Sequence, residues 1–283
     1  MGTPARPATR AYVIRAQEIR PGWTLLYAST LGLTLFAAAL RGFIALALLW
    51  LTFFILGWPR GSVQTLAYVV AYGPLALSLA TLVLPLGGWL WQQQIGGRSP
   101  SGRERLIYED ALAVLAEADP HVRPPQRWFV LDDPVPNAAA YANTLMLTRG
   151  LIDSGSLEAV LAHELGHLNS SDSRLSAALH RMTTQPRQKL RFPFTTLGFA
   201  FSGALAVWLT ATPWSAYWRG REFAADEYAA ALGQGRALAS FLETNALEHD
   251  LPVPFMWISA ESHPSTEHRI DRLLALAVAA DAD

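Results

Sequence analysis

Two long stretches of this chain carry almost no charge, and they limit its fold more than any other feature of the sequence. Residues 23–58 are apolar apart from Arg41, and residues 66–91 contain no charged side chain. A helix needs about 20 residues to cross a bilayer, and both stretches are longer than that. We therefore predict two transmembrane helices, at about 36–58 and 66–91, inside a membrane domain that covers residues 23–95. A split of residues 23–58 into two spans at Arg41-Gly42 is an alternative, although two residues make a very tight link.

The composition agrees with a membrane protein that also has a sizeable polar part. Hydrophobic residues make up 51% of the chain and charged residues 16%, against roughly 25% charged residues in soluble domains. A net charge of -1 gives no electrostatic footprint for nucleic acid, so we expect no nucleic-acid partner. The chain has no cysteine, which excludes disulfides, thiolate metal ligands and cysteine nucleophiles.

The basic residues that flank the two predicted spans indicate their orientation. Positive charges are concentrated on the cytoplasmic side of membrane proteins. The link at 59–65 has only Arg60. The tail at residues 1–22 and the segment after the second span are rich in arginine, with Arg6, Arg10, Arg15 and Arg20 in the tail and Arg98, Arg103 and Arg105 in the later segment. We expect a multi-pass protein of the cell membrane with both ends of this region in the cytoplasm. The preference for arginine over lysine, with Lys189 as the one lysine, favours a bacterial source.

Residues 96–283 read as a second, globular domain of α+β class, mainly helical with a small sheet. Apolar residues at helical spacing predict helices at 103–118, from Leu157 onward, at about 220–232 and 235–248, and at the end of the chain. Short apolar runs predict one strand at Trp128–Leu131, and a strand or hairpin over 138–148 that turns at Ala142-Asn143. A third apolar stretch, residues 192–218, interrupts this domain.

A His-Glu-x-x-His sequence in the helix after Leu157 is the clearest chemical feature of the chain. His163 and His167 are four residues apart, so they lie on one face of a helix, one turn from each other. Two imidazoles at this spacing bind zinc, and Glu164 beside them can act as general base on a water. The alternative is a surface helix with two solvated histidines.

The third ligand must come from elsewhere, because residues 168–179 contain no histidine. Glu222 is the candidate, since a glutamate would complete a His₂Glu zinc site. Asp226 lies one helical turn further on and could accept the free imidazole N–H of a ligand, which fixes the ring orientation. Alternatively, both carboxylates are solvated charges on an amphipathic helix.

Three further residues and a predicted strand have two interpretations each. Asn137 either orients a substrate backbone or is a turn residue after Pro136. The strand through Ala138–Tyr141, or the one through Leu145–Leu147, pairs with an extended peptide or within the domain. His263 either donates to the oxyanion of the reaction or caps structure before Pro264. Arg269 either donates to the oxyanion, like His263, or forms a buried ion pair.

Taken together, the motifs resemble those of the HtpX-type membrane zinc metallopeptidases, which are related to the CAAX prenyl protease of the Ste24 type. The similar segments are "VPNAAAYAN", "HELGH", "RGREFAAD" and "SHPSTEHRI", in this order over about residues 100–275. The resemblance implies a zincin-type fold of the gluzincin kind, with His163, His167 and Glu222 as ligands of one Zn²⁺ per chain. It also implies Glu164 as catalytic base, Asp226 as partner of a ligand, and residues 96–283 as the metallopeptidase domain.

One departure from this family concerns residues 192–218. The family usually has two membrane spans between the zinc helix and the glutamate helix, and 27 residues are too short for two spans of about 20. A single crossing would separate Glu222 from the histidines, so we expect the stretch to be re-entrant or to lie in the headgroup region.

These observations predict a zinc endopeptidase that hydrolyses membrane-associated or misfolded proteins, with the bilayer and a peptide or protein substrate as its partners. A catalytically inactive membrane scaffold that retains the fold is the alternative, and a transporter-like protein is a third. The sequence makes no prediction of the oligomeric state.

Overall fold

The computed structural model describes residues 86–169 except 142, residues 217–245 and 264–282, together with scattered positions between 28 and 76. The three continuous ranges belong to one compact unit and the scattered positions to a second. The tail at 1–22, residues 192–216 and His263 lie outside the described residues.

A three-stranded mixed sheet forms the centre of the first unit. Its strands β1 (Arg127–Leu131), β2 (Ala138–Tyr141) and β3 (Thr144–Thr148) lie in the order β1-β3-β2. β3 runs parallel to β1 and antiparallel to β2. Asn143 in the link between β2 and β3 has a φ of 63°, a conformation that asparagine tolerates better than most residues. The predicted strand at 128–131 and the hairpin at 138–148 are therefore confirmed.

Helix α1 (Leu86–Ile95) covers one face of this sheet. Its Trp91 ring contacts Phe129 of β1 and Tyr141 of β2, at centroid distances of 5.2 and 5.6 Å. A Cβ atom at Gly88 would lie 1.8 Å from Oγ1 of Thr144. Glycine at this position thus allows the helix backbone to lie directly on the sheet.

Helix α2 (Gly102–Ala118) begins with a complete capping box. The Glu104 N–H donates to Ser101 Oγ at 3.3 Å, and the Ser101 N–H donates to Glu104 Oε2 at 2.7 Å. Such a pair satisfies two of the helix N–H groups that have no intrahelical acceptor. The predicted start at 103 is confirmed to within one residue.

The helices of the opposite face form the core with the sheet. They are α2, the short α3 (Arg149–Ile152), α4 (Leu157–Asn169), the helical residues 217–231 termed α5, α6 (Gly235–Asn245) and α7 (Thr266–Ala282). Gly233 ends α5 with a φ of +80°, and Gln234 N–H donates to the Ala229 carbonyl at 2.9 Å, as in a Schellman motif. Leu145 and Leu147 of β3 form one core with apolar residues of α2, α4, α5, α6 and α7, which are Leu115, Leu161, Leu165, Ala229, Leu238 and Leu273. The mainly helical α+β class is confirmed.

The two predicted membrane spans are described at scattered positions up to residue 76, and residues 86–91, the predicted end of the second span, belong to α1 on the sheet. Within the described part of the chain, no helix has both the length and the apolar character that a bilayer crossing requires. Gly57 has a φ of +67° and its N–H donates to the Phe53 carbonyl at 2.8 Å, so helical structure ends there, next to the predicted end of the first span. Both spans stay predictions.

Candidate metal centre

Helix α4 passes through the core and presents both histidines of the His-Glu-x-x-His sequence on one side. The His163 and His167 rings are perpendicular, at 89°, with their centroids 4.8 Å apart. Their Nε2 atoms are 3.2 Å apart. His163 is 6% exposed, so its ring is removed from water by the surrounding core.

Helix α5 places Glu222 against both rings. One carboxylate oxygen lies 3.3 Å from His167 Nε2 and the other lies 3.6 Å from His163 Nε2. The preceding residue, Arg221, donates from Nη2 to the carbonyl of His167 at 3.2 Å. This bond satisfies one of the last carbonyls of α4, which have no partner inside the helix, and it fixes the start of α5 to the end of α4.

The distances among these three side chains fit a tetrahedral zinc site. Zinc binds imidazole nitrogen and carboxylate oxygen at about 2.0–2.2 Å, so neighbouring ligand atoms of a tetrahedron lie about 3.3–3.5 Å apart. The separation of the two Nε2 atoms, 3.2 Å, and that of Glu222 Oε1 from His167 Nε2, 3.3 Å, match this spacing. The 3.6 Å contact with His163 Nε2 is made by the other carboxylate oxygen, Oε2. The ligand atoms of His163, His167 and Glu222 all lie within 4.8 Å of one another, so the group could hold a metal ion.

Asp226 fixes the orientation of the His163 ring. Its Oδ1 lies 2.9 Å from His163 Nδ1, and the aspartate side chain is completely buried. An N–H at Nδ1 that donates to this carboxylate leaves Nε2 with a lone pair directed at the site. Burial lowers the pKa of His163, but the hydrogen bond and charge of Asp226 outweigh it, so the net shift is upward.

Arg269 of α7 forms the buried ion pair that was one of its two expected roles. Its Nε and Nη2 donate to the two oxygens of Asp226 at 2.9 and 2.8 Å. Its Nη1 also lies 3.3 Å from Glu222 Oε2. Burial raises the pKa of Asp226, but the hydrogen bonds from His163 and Arg269 lower it by more. The net shift of the pKa is therefore downward, and the carboxyl stays ionised.

Glu164 follows His163 directly and is buried at the same centre. No hydrogen bond or ion pair with another described residue holds its carboxylate. Burial lowers the pKa of Arg269, but the hydrogen bond to Asp226 and the charges of Asp226, Glu222 and Glu164 raise it by more. The net shift of the Arg269 pKa is therefore upward. The Glu164 carboxylate therefore lies within electrostatic range of the Arg269 guanidinium.

The predicted substrate residues lie on the neighbouring edge of the sheet. Asn137 is exposed; its N–H donates to Thr148 Oγ1 at 2.8 Å and its carbonyl accepts from the Thr148 N–H at 3.0 Å. Ala138 begins β2, which packs against α4. His263, which was predicted either to donate to the oxyanion or to cap structure before Pro264, lies outside the described residues, so its role stays a prediction.

The role of Arg221 was not predicted from the sequence, and both roles of Arg269 were left open. Arg221 is adjacent to Glu222, but its acceptor, the carbonyl of His167, is 54 residues away in the chain. The signal that was available is that α4 must end near Asn169 and needs donors there. The partner of Arg269 is 43 residues away, and no local pattern identifies it.

The chain is similar to known proteins. Residues 103–277 match the family model described as peptidase family M48. Over 176 residues the chain is 36% identical to a protein named Protease HtpX homolog from Acaryochloris marina (strain MBIC 11017), covering 50% of this chain and 59% of that protein. The match thus spans less than two thirds of the relative's length. The crystal structure of S. mikatae Ste24p is 19% identical, with a TM-score of 0.48, covering 88% of this chain and 65% of that one.

Proposed function

Because the chain belongs to peptidase family M48, we propose that it is a zinc-dependent endopeptidase that uses Glu164 as its general base. The convergence of His163, His167 and Glu222 from two helices, at separations of 3.2–3.6 Å, carries this proposal. Helix α4 provides two ligands and the base, and α5 provides the third ligand. One Zn²⁺ per chain would be held by these three side chains.

The donor set supports zinc and hydrolysis together. Two imidazoles and one carboxylate are a known set for catalytic zinc sites, which keep a fourth position for water or substrate. When bound, zinc supplies Lewis-acid polarisation of a carbonyl and lowers the pKa of water to about 7. The Asp226 carboxylate keeps the His163 ring in the tautomer that can bind.

Glu164 then moves the proton in the reaction. Its carboxylate accepts the proton of the attacking water and transfers it to the nitrogen of the leaving amine. A general base needs an oxygen within hydrogen-bonding reach of that proton and not already committed to another donor. The absence of a partner for the Glu164 carboxylate among the described residues supports this role.

The edge of β2 is the surface on which we propose that substrate binds. Asn137 and Thr148 exchange hydrogen bonds, so the alternation of an antiparallel ladder directs the N–H and C=O groups of Ala138 and Ala140 away from β3. An extended peptide could add to this edge as a fourth strand. Asn137 precedes the edge and its exposed side chain could orient the same backbone.

We further propose that residues 36–58 and the part of 66–91 that precedes α1 cross the cell membrane, and that the metallopeptidase domain, residues 96–283, faces the cytoplasm, because residues 86–91 lie on the sheet. Large apolar side chains between 28 and 76 are exposed, with Phe54 at 83% and Phe43 at 72%, as side chains that face lipid are. One metal ion cannot be bound from both sides of a bilayer. We therefore propose that residues 192–218 begin and end at the same membrane face.

Substrates in this proposal are membrane-associated or misfolded proteins that an exposed edge strand can bind in an extended form. The alternative function, an inactive scaffold that keeps the fold, predicts the same metal site without turnover. The two functions differ in one measurable property, which is cleavage that depends on Glu164.

The test uses the full chain purified in detergent. Zinc per chain and casein cleavage are measured for the wild type, Glu164→Gln, and Glu158→Gln as a matched control on the same helix. We expect one zinc per chain in all three proteins, cleavage by the wild type and the control, and at least a hundredfold loss in Glu164→Gln. Zinc without cleavage by any protein would support the scaffold, and absence of zinc would contradict both functions.

A further inference from the structure

The helices that carry the proposed ligands cross at Gly166, which occupies the last variable position of the His-Glu-x-x-His sequence. A Cβ atom built at Gly166 would lie 2.8 Å from Cα of Ala225, 3.2 Å from Cβ of Ala225 and 3.1 Å from Cβ of Tyr228. Carbon atoms in packed interiors are usually about 3.5–4.0 Å apart. The backbones of α4 and α5 therefore meet at a point where only a hydrogen atom fits.

The polar groups of the site are arranged around this crossing in the same way on both helices. On α4, His163 and His167 lie three residues before and one residue after Gly166. On α5, Glu222 and Asp226 lie three residues before and one residue after Ala225. His163 pairs with Asp226 and His167 with Glu222. The first polar residue of each helix thus pairs with the second polar residue of the other helix, which is the arrangement expected for two helices that run in opposite directions.

We propose that Gly166 is a positioning residue for the metal centre, because it sets the separation of α4 and α5 at which Glu222 reaches both histidines. This inference rests on the proposed zinc site. A methyl group at Gly166 needs at least about 0.7 Å of additional space to move the 2.8 Å contact to an ordinary separation. Metal–ligand distances tolerate about 0.2 Å, so the shift exceeds what the ligand set can absorb.

The neighbouring contacts leave little freedom for a sideways adjustment. Arg221 donates a hydrogen bond to the end of α4. Asp226 accepts hydrogen bonds from His163 of α4 and from Arg269 of α7. Ala225 is 1% exposed and lies between these two bonds. The added methyl group must therefore increase the distance between the helices at the position of the ligands.

The experiment compares Gly166→Ala and Ala225→Val, which add atoms to the crossing from opposite sides, with the control Gly102→Ala. Gly102 is also a helical glycine, but no atom lies within 4 Å of a Cβ built there. Full-length protein is stripped of metal and titrated with Co²⁺, whose visible absorption reports the ligand set. The rise in Tm on metal addition is measured in parallel, because ligand binding stabilises the folded state by an amount that increases with the logarithm of the affinity.

We expect at least tenfold weaker Co²⁺ binding, altered visible bands and a smaller metal-induced rise in Tm for both crossing variants, with wild-type values for the control. A variant that lowers the Tm of the metal-free protein but keeps wild-type affinity, spectrum and metal-induced rise would show a merely structural role and overturn the proposal. If Gly166→Ala does not fold, Ala225→Val decides by the same criteria. Failure of the wild type to bind Co²⁺ would instead contradict the proposed function itself.

Discussion

At the scale of single residues, the site depends on Asp226 as a shared acceptor. Its Oδ1 accepts from His163 Nδ1 at 2.9 Å and from Arg269 Nη2 at 2.8 Å, inside a completely buried environment. A buried carboxylate is stable only when it is paired and hydrogen-bonded. The same two hydrogen bonds therefore orient His163, a proposed metal ligand, and neutralise the buried charge of Asp226.

Removal of Arg269 tests this dependence. We expect Arg269→Ala to lower the stability of the domain by about 3–5 kcal/mol, because Asp226 is left as an uncompensated buried charge. Zinc affinity should fall about 10–100-fold, as for other groups that orient a metal ligand. Chelator competition and thermal unfolding measure the two effects.

The control for this variant is Arg103→Ala, which breaks an ion pair with Asp153 whose side chains are 77% and 48% exposed. Exposed ion pairs contribute about 0–1 kcal/mol, so this variant should retain zinc binding and nearly all stability. Equal effects of the two substitutions would contradict the role assigned to Arg269.

At the scale of secondary-structure elements, β2 is an edge strand and its residues alternate in function. Ala139 lies opposite Met146 in the hydrogen-bonded register of β3, whereas the main-chain groups of Ala138 and Ala140 point to the edge. Proline is tolerated in a strand where its missing N–H would face outward, and it disrupts a ladder where it would face inward. The two neighbouring positions thus provide a matched pair of substitutions.

We expect Ala140→Pro to fold, to bind zinc, and to cleave casein at least tenfold more slowly, because the edge loses a donor for the substrate strand. Ala139→Pro should instead lower the Tm, because it removes a hydrogen bond to β3. Circular dichroism melts and kcat/KM values for both variants make the comparison. Full activity of Ala140→Pro would exclude binding of the substrate at this edge.

A second element-scale feature is the ion-pair group that joins three segments. Arg98 donates to Glu104 at the start of α2 and to Asp132 after β1, each through two bonds of 2.7–2.8 Å. The Arg98 bond lowers the pKa of Glu104 to about 2, against the opposing effect of burial. Nothing in the sequence near Arg98 indicated this connection.

The lowered pKa of Glu104 predicts how stability depends on pH. The folded state binds the proton more weakly than the unfolded chain, so the contribution is present above about pH 4.5 and is lost as pH falls towards 2. We expect Glu104→Gln to be about 1–2 kcal/mol less stable near neutral pH, with a smaller acid dependence between pH 2 and 4.5. Urea unfolding of metal-free protein across this range tests the sign, and an unchanged acid dependence would contradict it.

At the scale of the whole molecule, what the sequence could predict follows from which interactions are local. Helical periodicity placed α2, α4 and α7, and the spacing of His163 and His167 placed both rings on one face. The parallel pairing of β1 with β3, the bond from Arg221 to α4 and the Gly166 crossing join residues far apart in the chain. Their partners are selected by packing, which a local pattern does not encode.

The membrane topology is the whole-molecule prediction that has a direct assay. Reporter fusions at positions 60, 100, 185 and 235 should report the external side at 60 and the cytoplasmic side at the other three. Positions 185 and 235 lie on either side of residues 192–218, so they must agree if one metal ion is bound by both α4 and α5. Opposite sides for these two positions would contradict the proposed topology.

Zinc K-edge X-ray absorption of the purified wild type and of Glu222→Ala tests the central claim, which is that α4 and α5 bind one metal ion together. The wild type should contain one zinc per chain with two imidazole nitrogens and oxygen ligands at about 2.0–2.2 Å. Glu222→Ala should lose zinc, or show a changed oxygen shell with both imidazoles retained. A wild-type spectrum without two imidazoles, or one that Glu222→Ala leaves unchanged, would contradict the account.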